Sequence, residues 1–468
     1  MDTTSSTDHA QRPSHSTGAA IVTGGFASTL VLWSAWFVTH LPWLKLDEQV
    51  ALPITLLCWA LALTWTGWRT GSTRGAVVGA GAGLIAACAG LLILGSKLTT
   101  SANATAMDGA SVRPNALMMA AGFLALGIGL GAICGAVGGL LAGTRQRAMT
   151  LATFAIVAVC AIAPLVFIGG LVTSTNSGMA VPDWPNTFGT NMFLYPLGPR
   201  VSPDIFFEHS HRLFGTLVGL TTLVLLIWTL RSREHRSVRP WVIGLFALIV
   251  AQGILGGLRV QLGSAEAASD NRWLSMLHGI KGQLVFALAV VVAVLLVPAY
   301  RATVAMMHSS TPLSDARKLR FFATAAFHST ILQLVFGALY RHTRSDHALW
   351  THAAFAIIVA TFALLAGFAA SNLGKTDNQE GEDAGLRAGT SMVSIMQRIG
   401  IALVVVVGLQ FTLGWATFLI GGRTLQAASP AQALLRTAHQ ANGAAMLGLL
   451  TALFLMARVM SPKRAQEA

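Results

Sequence analysis

The chain has 468 residues, of which 54% are hydrophobic and only 10% are charged. A mean hydropathy of +0.64 excludes a single water-soluble core and places the chain in a bilayer. The formal net charge of +13 could indicate nucleic acid, but the Lys and Arg residues lie in short segments between apolar stretches, where they specify membrane topology. The composition therefore predicts an all-α polytopic membrane protein with no nucleic-acid partner.

Twelve stretches are long and apolar enough to cross a bilayer as helices. They are residues 20–41, 50–68, 75–96, 115–142, 150–172, 206–230, 240–260, 273–298, 320–341, 348–371, 396–420 and 431–457. If the N-terminus is cytoplasmic, most of the 31 Lys and Arg residues fall on the cytoplasmic side, which is the usual bias. With an even number of spans, both termini are expected there. The polar tail 1–19 resembles neither a signal peptide nor a transit peptide, so we expect a bacterial inner membrane.

The first four spans, within residues 20–145, offer no ligand set. They are rich in Gly and Ala, and their apolar stretches contain no Asp or Glu. Small residues of this kind indicate close helix packing or the docking of a partner. The four cysteines lie singly inside apolar spans and are expected to be small buried side chains rather than a disulfide or metal framework. They are Cys58, Cys88, Cys134 and Cys160.

A pair of helices recurs four times after residue 150, at intervals of roughly 70 to 85 residues. Three of the first helices carry Gln-x-x-x-Gly near their outer ends, at Gln252/Gly256, Gln333/Gly337 and Gln410/Gly414; the opening one has Leu165/Gly169 there. Each second helix has a histidine about one turn after its predicted start, namely His211, His278, His352 and His439. All second helices run in the same direction, so these histidines are expected at one depth. Two four-helix bundles are predicted, at about 150–300 and 320–460.

Two facing histidines in a bundle suit a haem, with one imidazole on each face of the iron. Zinc is the main competitor, but zinc sites favour tight local spacing such as HExxH, whereas these histidines lie on separate helices. One histidine at the edge of a span could simply bind headgroups, yet four in register favour a shared role. Two haem sites follow. Their propionates need cations, and the candidates, which snorkelling also explains, are Arg212, Arg259, Arg341 and Arg423.

The stretch EHSHR gives the first bundle a carboxylate that the other bundle lacks. Glu208 and His211 are three residues apart and share a helix face, whereas His209 points away. In the other second helices this offset is occupied by Ser275, Leu349 and Arg436. A plain salt bridge from Glu208 to Arg212 explains the same residues without chemistry. The loop before this helix contains Asp183 and Trp184 among Gly, Pro and aromatic residues, and is a candidate lid over the first haem pocket.

The order of GGLVTS, SGMAVPDWP, EHSHR, QGILGGLRV, LHGIKGQ and the later single histidines resembles the haem A synthase family over about residues 150–460. The resemblance implies that the C8 methyl group of haem O is oxidised to a formyl group by successive hydroxylations, giving the haem of cytochrome c oxidase. It also implies that His352 and His439 ligate a haem b cofactor, that His211 and His278 face the substrate haem, and that Glu208 is needed for catalysis. Many members have a cysteine pair in the first outer loop, which this sequence lacks.

With both termini inside, every second helix begins on the outer side, so the haem sites are expected towards the periplasm. The resemblance further implies haem O synthase, the protohaem farnesyltransferase, as the donor of the substrate. The electron donor stays unnamed, with a quinol as one candidate, and homo-oligomerisation is open. Two other functions are compatible with paired histidines. One is a b-type dihaem protein that oxidises a quinol, which would not need an acid beside one site only. The other is an exporter or chaperone that passes haem on unchanged.

Overall fold

The computed structural model describes residues 16–100, 111–144, 146–197, 201–262, 270–306, 314–374 and 384–460. These residues form thirteen α-helices, two 3-10 turns and one pair of two-residue antiparallel strands, Thr99–Thr100 and Ser111–Val112. Twelve of the helices are long and apolar enough to cross a membrane. The predicted all-α, multi-pass class with twelve spans is therefore confirmed.

The helices are numbered in chain order. Their bounds are α1 Thr17–Thr39, α2 Glu48–Thr70, α3 Gly75–Leu94, α4 Ala116–Ala142, α5 Leu151–Thr175, α6 Pro203–Arg231, α7 Arg239–Leu262, α8 Asp270–Leu296, α9 Pro298–Met306, α10 Ser314–Thr343, α11 Asp346–Ser371, α12 Ala384–Ile420 and α13 Pro430–Met460. Helix α9 has only nine residues and lies in a connection that the hydropathy pattern predicts as loop.

The histidine-bearing helices begin earlier than their apolar stretches. Helix α6 follows Ser202 and opens with Pro203, while α11 follows Ser345 and opens with Asp346. Proline suits the first helical position, and an acid suits the positive end of the helix dipole. These polar starts lie outside the hydropathy signal, so the histidines lie about two turns into their helices instead of one.

The described residues divide into two compact units. The first unit comprises residues of Met1–Leu94 and Arg113–Val157, and the second comprises residues of Gly95–Val112 and Ala158–Ala468. The boundary falls inside α5, so this division does not test the predicted extension over 20–145 or the two predicted bundles, which remain predictions.

Helices α3 and α4 of the first unit pack backbone against backbone. Glycines recur every four residues along both helices, at Gly75, Gly79 and Gly83 on α3 and at Gly127, Gly131, Gly135 and Gly139 on α4. A Cβ atom on Gly79 would collide with the carbonyl oxygen of Gly131, and a Cβ atom on Gly131 would collide with that of Gly79. Lipid tails provide no hydrophobic drive between helices, so association depends on such close contact. The predicted close packing is confirmed.

The four cysteines are free, but the prediction that they are buried is wrong. Cys88 and Cys160 are exposed, and Cys58 and Cys134 are only partly buried. The outer surface of a membrane helix faces lipid, so an apolar thiol there carries no desolvation cost and need not be packed inside.

In the second unit, helices α10 to α13 close into a four-helix ring, because α10 contacts both α11 and α13 while α12 contacts α11 and α13. In the first half of this unit, which contains α6, α7 and α8, helix α6 contacts α7 and α7 contacts α8. The apolar core of the ring includes Leu319, Ala363, Leu403 and Leu453, all with no exposed surface. This core fills the end of the ring away from His352 and His439. The opposite end of the ring, which holds His352 and His439, is called here the histidine end and lies outside this core.

The glycine contact between α3 and α4 predicts a position-specific loss of stability. Gly131→Ala should lower the free energy of unfolding by about 1–3 kcal/mol, because the added methyl group meets the backbone of α3. Gly129→Ala, on the same helix, is the matched control, since a Cβ atom there has no neighbour within 4 Å. Thermal unfolding of the two variants in detergent checks this, and equal midpoints would contradict it.

Candidate functional site

The four recurring histidines meet in two pairs in the second unit, one pair from α6 and α8 and the other from α11 and α13. The ring centres of His211 and His278 are 6.3 Å apart, with the ring planes at 70°. The ring centres of His352 and His439 are also 6.3 Å apart, at 84°. The tertiary fold thus brings together residues that are far apart in sequence, in the pairing that the two-bundle prediction requires.

Each histidine ring lies against the glycine of the neighbouring first helix. A Cβ atom on that glycine would lie 2.9–3.2 Å from the ring's Cε1 atom. The glycine and histidine partners are Gly169 and His211, Gly256 and His278, Gly337 and His352, and Gly414 and His439. A side chain at any of these glycines would push the ring aside, so the glycine of each motif makes room for the imidazole.

The glutamines of the motif fix the histidine-bearing helices. The side-chain amide of Gln252 donates to the carbonyl oxygen of His278 at 2.7 Å, and Gln333 donates to that of His352 at 2.9 Å. In the last helix pair, α12 and α13, the amide nitrogen of Gln410 lies 3.5 Å from Nε2 of His439 itself. The first helix pair, α5 and α6, has Leu165 in place of the glutamine and therefore lacks the side-chain amide that makes this contact.

One nitrogen of each ring is turned towards the protein. All four Nδ1 atoms are buried without a hydrogen bond of normal geometry among the described residues, but backbone groups of the preceding helix lie close to three of the rings, at Leu165, Gln333 and Gln410. Each side chain as a whole is partly exposed. The edge of each ring that carries Cε1 and Nδ1 therefore packs against the preceding helix, which leaves the nitrogen on the other edge, Nε2, as the atom that a ligand could reach.

The spacing of the paired rings suits a metal ion held between them. Two imidazole–metal bonds of about 2.0 Å, with ~1 Å from nitrogen to ring centre, separate two ring centres by roughly 6 Å. The observed spacing of 6.3 Å matches this distance. Within the described ranges, no group of three or more His, Cys, Asp or Glu side chains is gathered as a metal site. A planar metal complex that needs only two protein ligands, such as haem, fits both pairs.

Glu208 lies beside the first pair and is only 4% exposed. One carboxylate oxygen is 2.6 Å from Nη2 of Arg212, and the other accepts the backbone N–H of Val181 at 2.8 Å. The salt bridge offered as the non-chemical explanation is therefore present. It is buried, however, with both side chains under 10% exposed, and Glu208 is also attached to the loop that precedes α6.

Arg212 fastens the same loop through three backbone carbonyl groups. Its guanidinium donates to Asp183 at 2.6 Å, to Asn186 at 2.9 Å and to Val181 at 3.0 Å. With so many acceptors already engaged, Arg212 serves as a clamp for the loop. A propionate would compete with these carbonyl groups.

The loop is also fixed from within. The Asp183 carboxylate accepts the backbone N–H groups of Phe188 at 2.8 Å and Gly189 at 2.7 Å. The Trp184 ring covers Gly257 of α7, where a Cβ atom would collide with the indole. Asp183 and Trp184 therefore hold the loop folded against α6 and α7, as a lid would require.

His209 belongs to this loop interface and not to the pair formed by His211. Its Nδ1 atom is 3.1 Å from the Thr187 hydroxyl, and its ring centre is 5.3 Å from that of Tyr195. Burial raises the pKa of the Tyr195 phenol above its ordinary value. The prediction that His209 points away from His211 is confirmed.

Two of the four arginines suggested as propionate partners differ sharply in their surroundings. The guanidinium of Arg259 lies over Gly178 of the loop, where a side chain would collide with it. Arg423 is exposed, with its guanidinium 5.9 Å from the centre of the Phe418 ring. Arg259 is also close enough to His211 and His278 to interact electrostatically with both, whereas Arg423 lies on the surface.

Arg341, the fourth candidate, connects the two halves of the second unit. Two further arginines, Arg344 and Arg436, lie beside it, and neither is among the predicted propionate partners. Arg341 donates to the carbonyl oxygens of Leu425, at 2.9 Å, and of Thr173. Arg344 and Arg436 also donate to Leu425. The sequence marks Arg436 only as the residue three before His439. The convergence of the three arginines depends on the fold of the loop after α12, which no periodicity predicts.

Comparison with known proteins gives partial matches. Residues 152–376 match the family model described as cytochrome oxidase assembly protein. Similar curated proteins include "Heme A synthase" of Lysinibacillus sphaericus (strain C3-41), 30% identical over 205 residues, which are 43% of this chain and 61% of that protein. "Heme A synthase" of Geobacillus kaustophilus (strain HTA426) is 31% identical over 186 residues, 39% of this chain and 54% of the relative. No solved structure matches.

A more distant relative is "Heme A synthase" of Beijerinckia indica subsp. indica (strain ATCC 9039 / DSM 1715 / NCIMB 8712), 29% identical over 168 residues, with 46% of its length covered. The chain thus spans between 46% and 61% of the length of these three relatives. The resemblance that the motifs predict is confirmed over the matched residues. The family match includes His211, His278 and His352 and ends before His439.

The loop contacts predict a local change in amide exchange. Asp183→Ala should speed hydrogen exchange at Phe188 and Gly189, and Arg212→Gln should also release the segment around Val181. Loss of a hydrogen bond to a charged group corresponds to roughly 10- to 100-fold faster exchange. Asp47→Ala, which removes a helix-start Asp whose side chain makes no capping bond, is the control. Unchanged protection at 181–189 in both loop variants would contradict the clamp.

Proposed function

We propose that this chain, whose residues 152–376 belong to the cytochrome oxidase assembly protein family, is a haem A synthase. It would oxidise the C8 methyl group of haem O to a formyl group by two successive hydroxylations, each of which would consume dioxygen and two electrons from the donor and release water. Loss of water from the resulting geminal diol would give the formyl group. The observation that carries the proposal is the pair of histidine sites, each with rings 6.3 Å apart against glycines. Among the described residues, only the first pair has a buried carboxylate beside it.

The asymmetry between the pairs supports a division of roles. His211 and His278 would face the iron of the substrate haem, because Glu208 and the clamped loop lie on that side. His352 and His439 would ligate haem b, which supplies one-electron redox chemistry when bound. A symmetric electron carrier would not need an acid at one pair only, and a chaperone would not need a fixed proton-carrying group.

As the ionised partner of Arg212, Glu208 is suited to orient a water molecule or to accept a proton at the rim of the substrate pocket. It lies one helical turn from His211 on the same face, and its two oxygens are fixed by Val181 and Arg212. A carboxylate fixed at both oxygens keeps one position during successive oxidations. The loop with Asp183 and Trp184 would cover the pocket and limit the access of bulk water.

The setting of the reaction is part of the same proposal. We place the protein in a bacterial inner membrane with the histidine end towards the periplasm, because the Lys and Arg bias puts the starts of the histidine-bearing helices on the outer side. Haem O synthase would supply the substrate, and a quinol is our candidate for the electron donor. An assembly of several copies is compatible with these roles.

Pigment analysis tests the reaction. Cells that make haem O and express this chain should accumulate haem A, and Glu208→Ala should reduce haem A by at least about tenfold, as expected for loss of a positioned proton-transfer group. Glu208→Gln retains an acceptor for Val181 and separates proton transfer from loop anchoring. Unaltered haem O in the wild type would contradict the proposal. Full activity in Glu208→Gln would leave Glu208 a structural role only.

Haem content tests the assignment of the two sites. His352→Ala and His439→Ala should each remove haem b from the purified protein, as judged by the reduced-minus-oxidised spectrum. His328→Ala is the matched control, because this histidine is exposed and bonds to the carbonyl oxygen of Thr324 within its own helix. A full complement of haem b in both ligand variants would overturn the assignment.

A further inference from the structure

Three guanidinium groups converge at the histidine end of the ring formed by α10 to α13. Arg341 Nη1, Arg436 Nη1 and Arg344 Nη2 lie 2.9, 3.2 and 3.5 Å from the carbonyl oxygen of Leu425. Arg436 also donates through Nε to the carbonyl oxygen of Gly421 at 2.6 Å. Three cations from two helices and a connecting segment are thus gathered around one short loop.

This cluster lacks an anion in the part of the chain that the structure describes. None of the three arginines has a carboxylate within ion-pair distance there. A carbonyl oxygen has only two lone pairs, so it cannot satisfy three donors fully. Arg436 is 7% exposed, and its Nη2 atom is buried without a hydrogen-bond partner, as is Nε of Arg344. Buried positive charge of this kind is costly unless a counter-ion completes it.

The cluster lies next to the second histidine pair. Arg436 is three residues before His439 on α13, so both side chains project from the same face, with Arg436 one turn nearer the helix start. In the repeat this is the position that Glu208 occupies before His211. The first half therefore places a negative charge beside its histidine, and the last repeat places a positive charge there.

We infer that Arg344 and Arg436, together with Arg341, form a carboxylate-binding site for the propionate groups of the haem in the second half of the unit. The inference rests on the proposed function only in requiring haem at His352 and His439. The planar fork of a guanidinium matches a carboxylate in two parallel hydrogen bonds. The stacking of Arg344 over Tyr340, 5.2 Å from the ring centre, holds one such fork in place.

A phospholipid phosphate offers similar oxyanion chemistry, so the test changes the ligand as well as the protein. The full chain carrying His211→Ala, so that the second pair dominates binding, is purified from haem-deficient cells and titrated with ferric haem b or with its dimethyl ester. The ester has no charged carboxylates. This background should bind haem b roughly 10- to 100-fold more tightly than the ester.

In the same background, Arg436→Gln and Arg344→Gln should each weaken the binding of haem b by about tenfold while leaving the affinity for the ester unchanged. Arg436→Lys, which keeps the charge but loses the fork, should fall between. Arg458→Gln is the matched control, because Arg458 lies at the opposite end of α13 with its guanidinium 4.0 Å from the Phe454 ring, and it should bind both porphyrins as the parent does.

Several results would overturn the inference. Equal losses for haem b and its ester in Arg436→Gln would mean that the arginine only shapes the loop. If the parent bound haem b and its ester with equal affinity, both with and without anionic lipid, no carboxylate would be bound. Loss of the preference for haem b when phosphatidylglycerol is added would assign the cluster to lipid phosphate. A chain that bound neither porphyrin would contradict the proposed function as well.

Discussion

The contact between an imidazole ring and a glycine on the adjacent helix underlies the organisation of the second unit. Four times, a histidine about two turns into one helix is accommodated by the missing side chain of a glycine on the helix before it. The close approach buries Nδ1 of each ring and sets the distance of 6.3 Å between the rings of each pair. Because the apolar core of the four-helix ring formed by α10 to α13 lies at the other end, its histidine end is available for a ligand.

Charge distinguishes two sites that share this geometry. At the first pair, the buried ion pair of Glu208 and Arg212 is joined to the backbone of the preceding loop, so the acid and the cover over the site are one structure. At the second pair, Arg436 takes the place of the acid and meets two further arginines. A low-dielectric interior amplifies such differences. Repetition thus supplies two similar pockets, and single substitutions at one helical position give them opposite electrostatic character.

The first unit solves a different physical problem with the same residue type. Glycine on α3 and α4 brings two backbones into contact, whereas glycine in the second unit admits a ring. In both cases the missing Cβ atom allows an approach that lipid would not drive by itself. The loop of the first half shows a third solution, since hydrogen bonds to Asp183, Glu208 and Arg212 fold it.

The sequence alone determined the twelve spans, the four-fold repeat and the identity of the recurring histidines, because hydropathy and residue spacing are local and periodic properties. It also placed His209 away from His211, which follows from helical geometry over two residues. Only the tertiary structure decided the distance between paired rings, the glycine against each ring and the attachment of Glu208 to the loop. The convergence of Arg341, Arg344 and Arg436 on Leu425 joins segments more than 80 residues apart. Such contacts depend on how helices pack and loops fold, and one residue's spacing from the next carries no record of them. The exposed cysteines show the same limit, since an apolar stretch does not reveal which of its faces meets lipid and which meets protein.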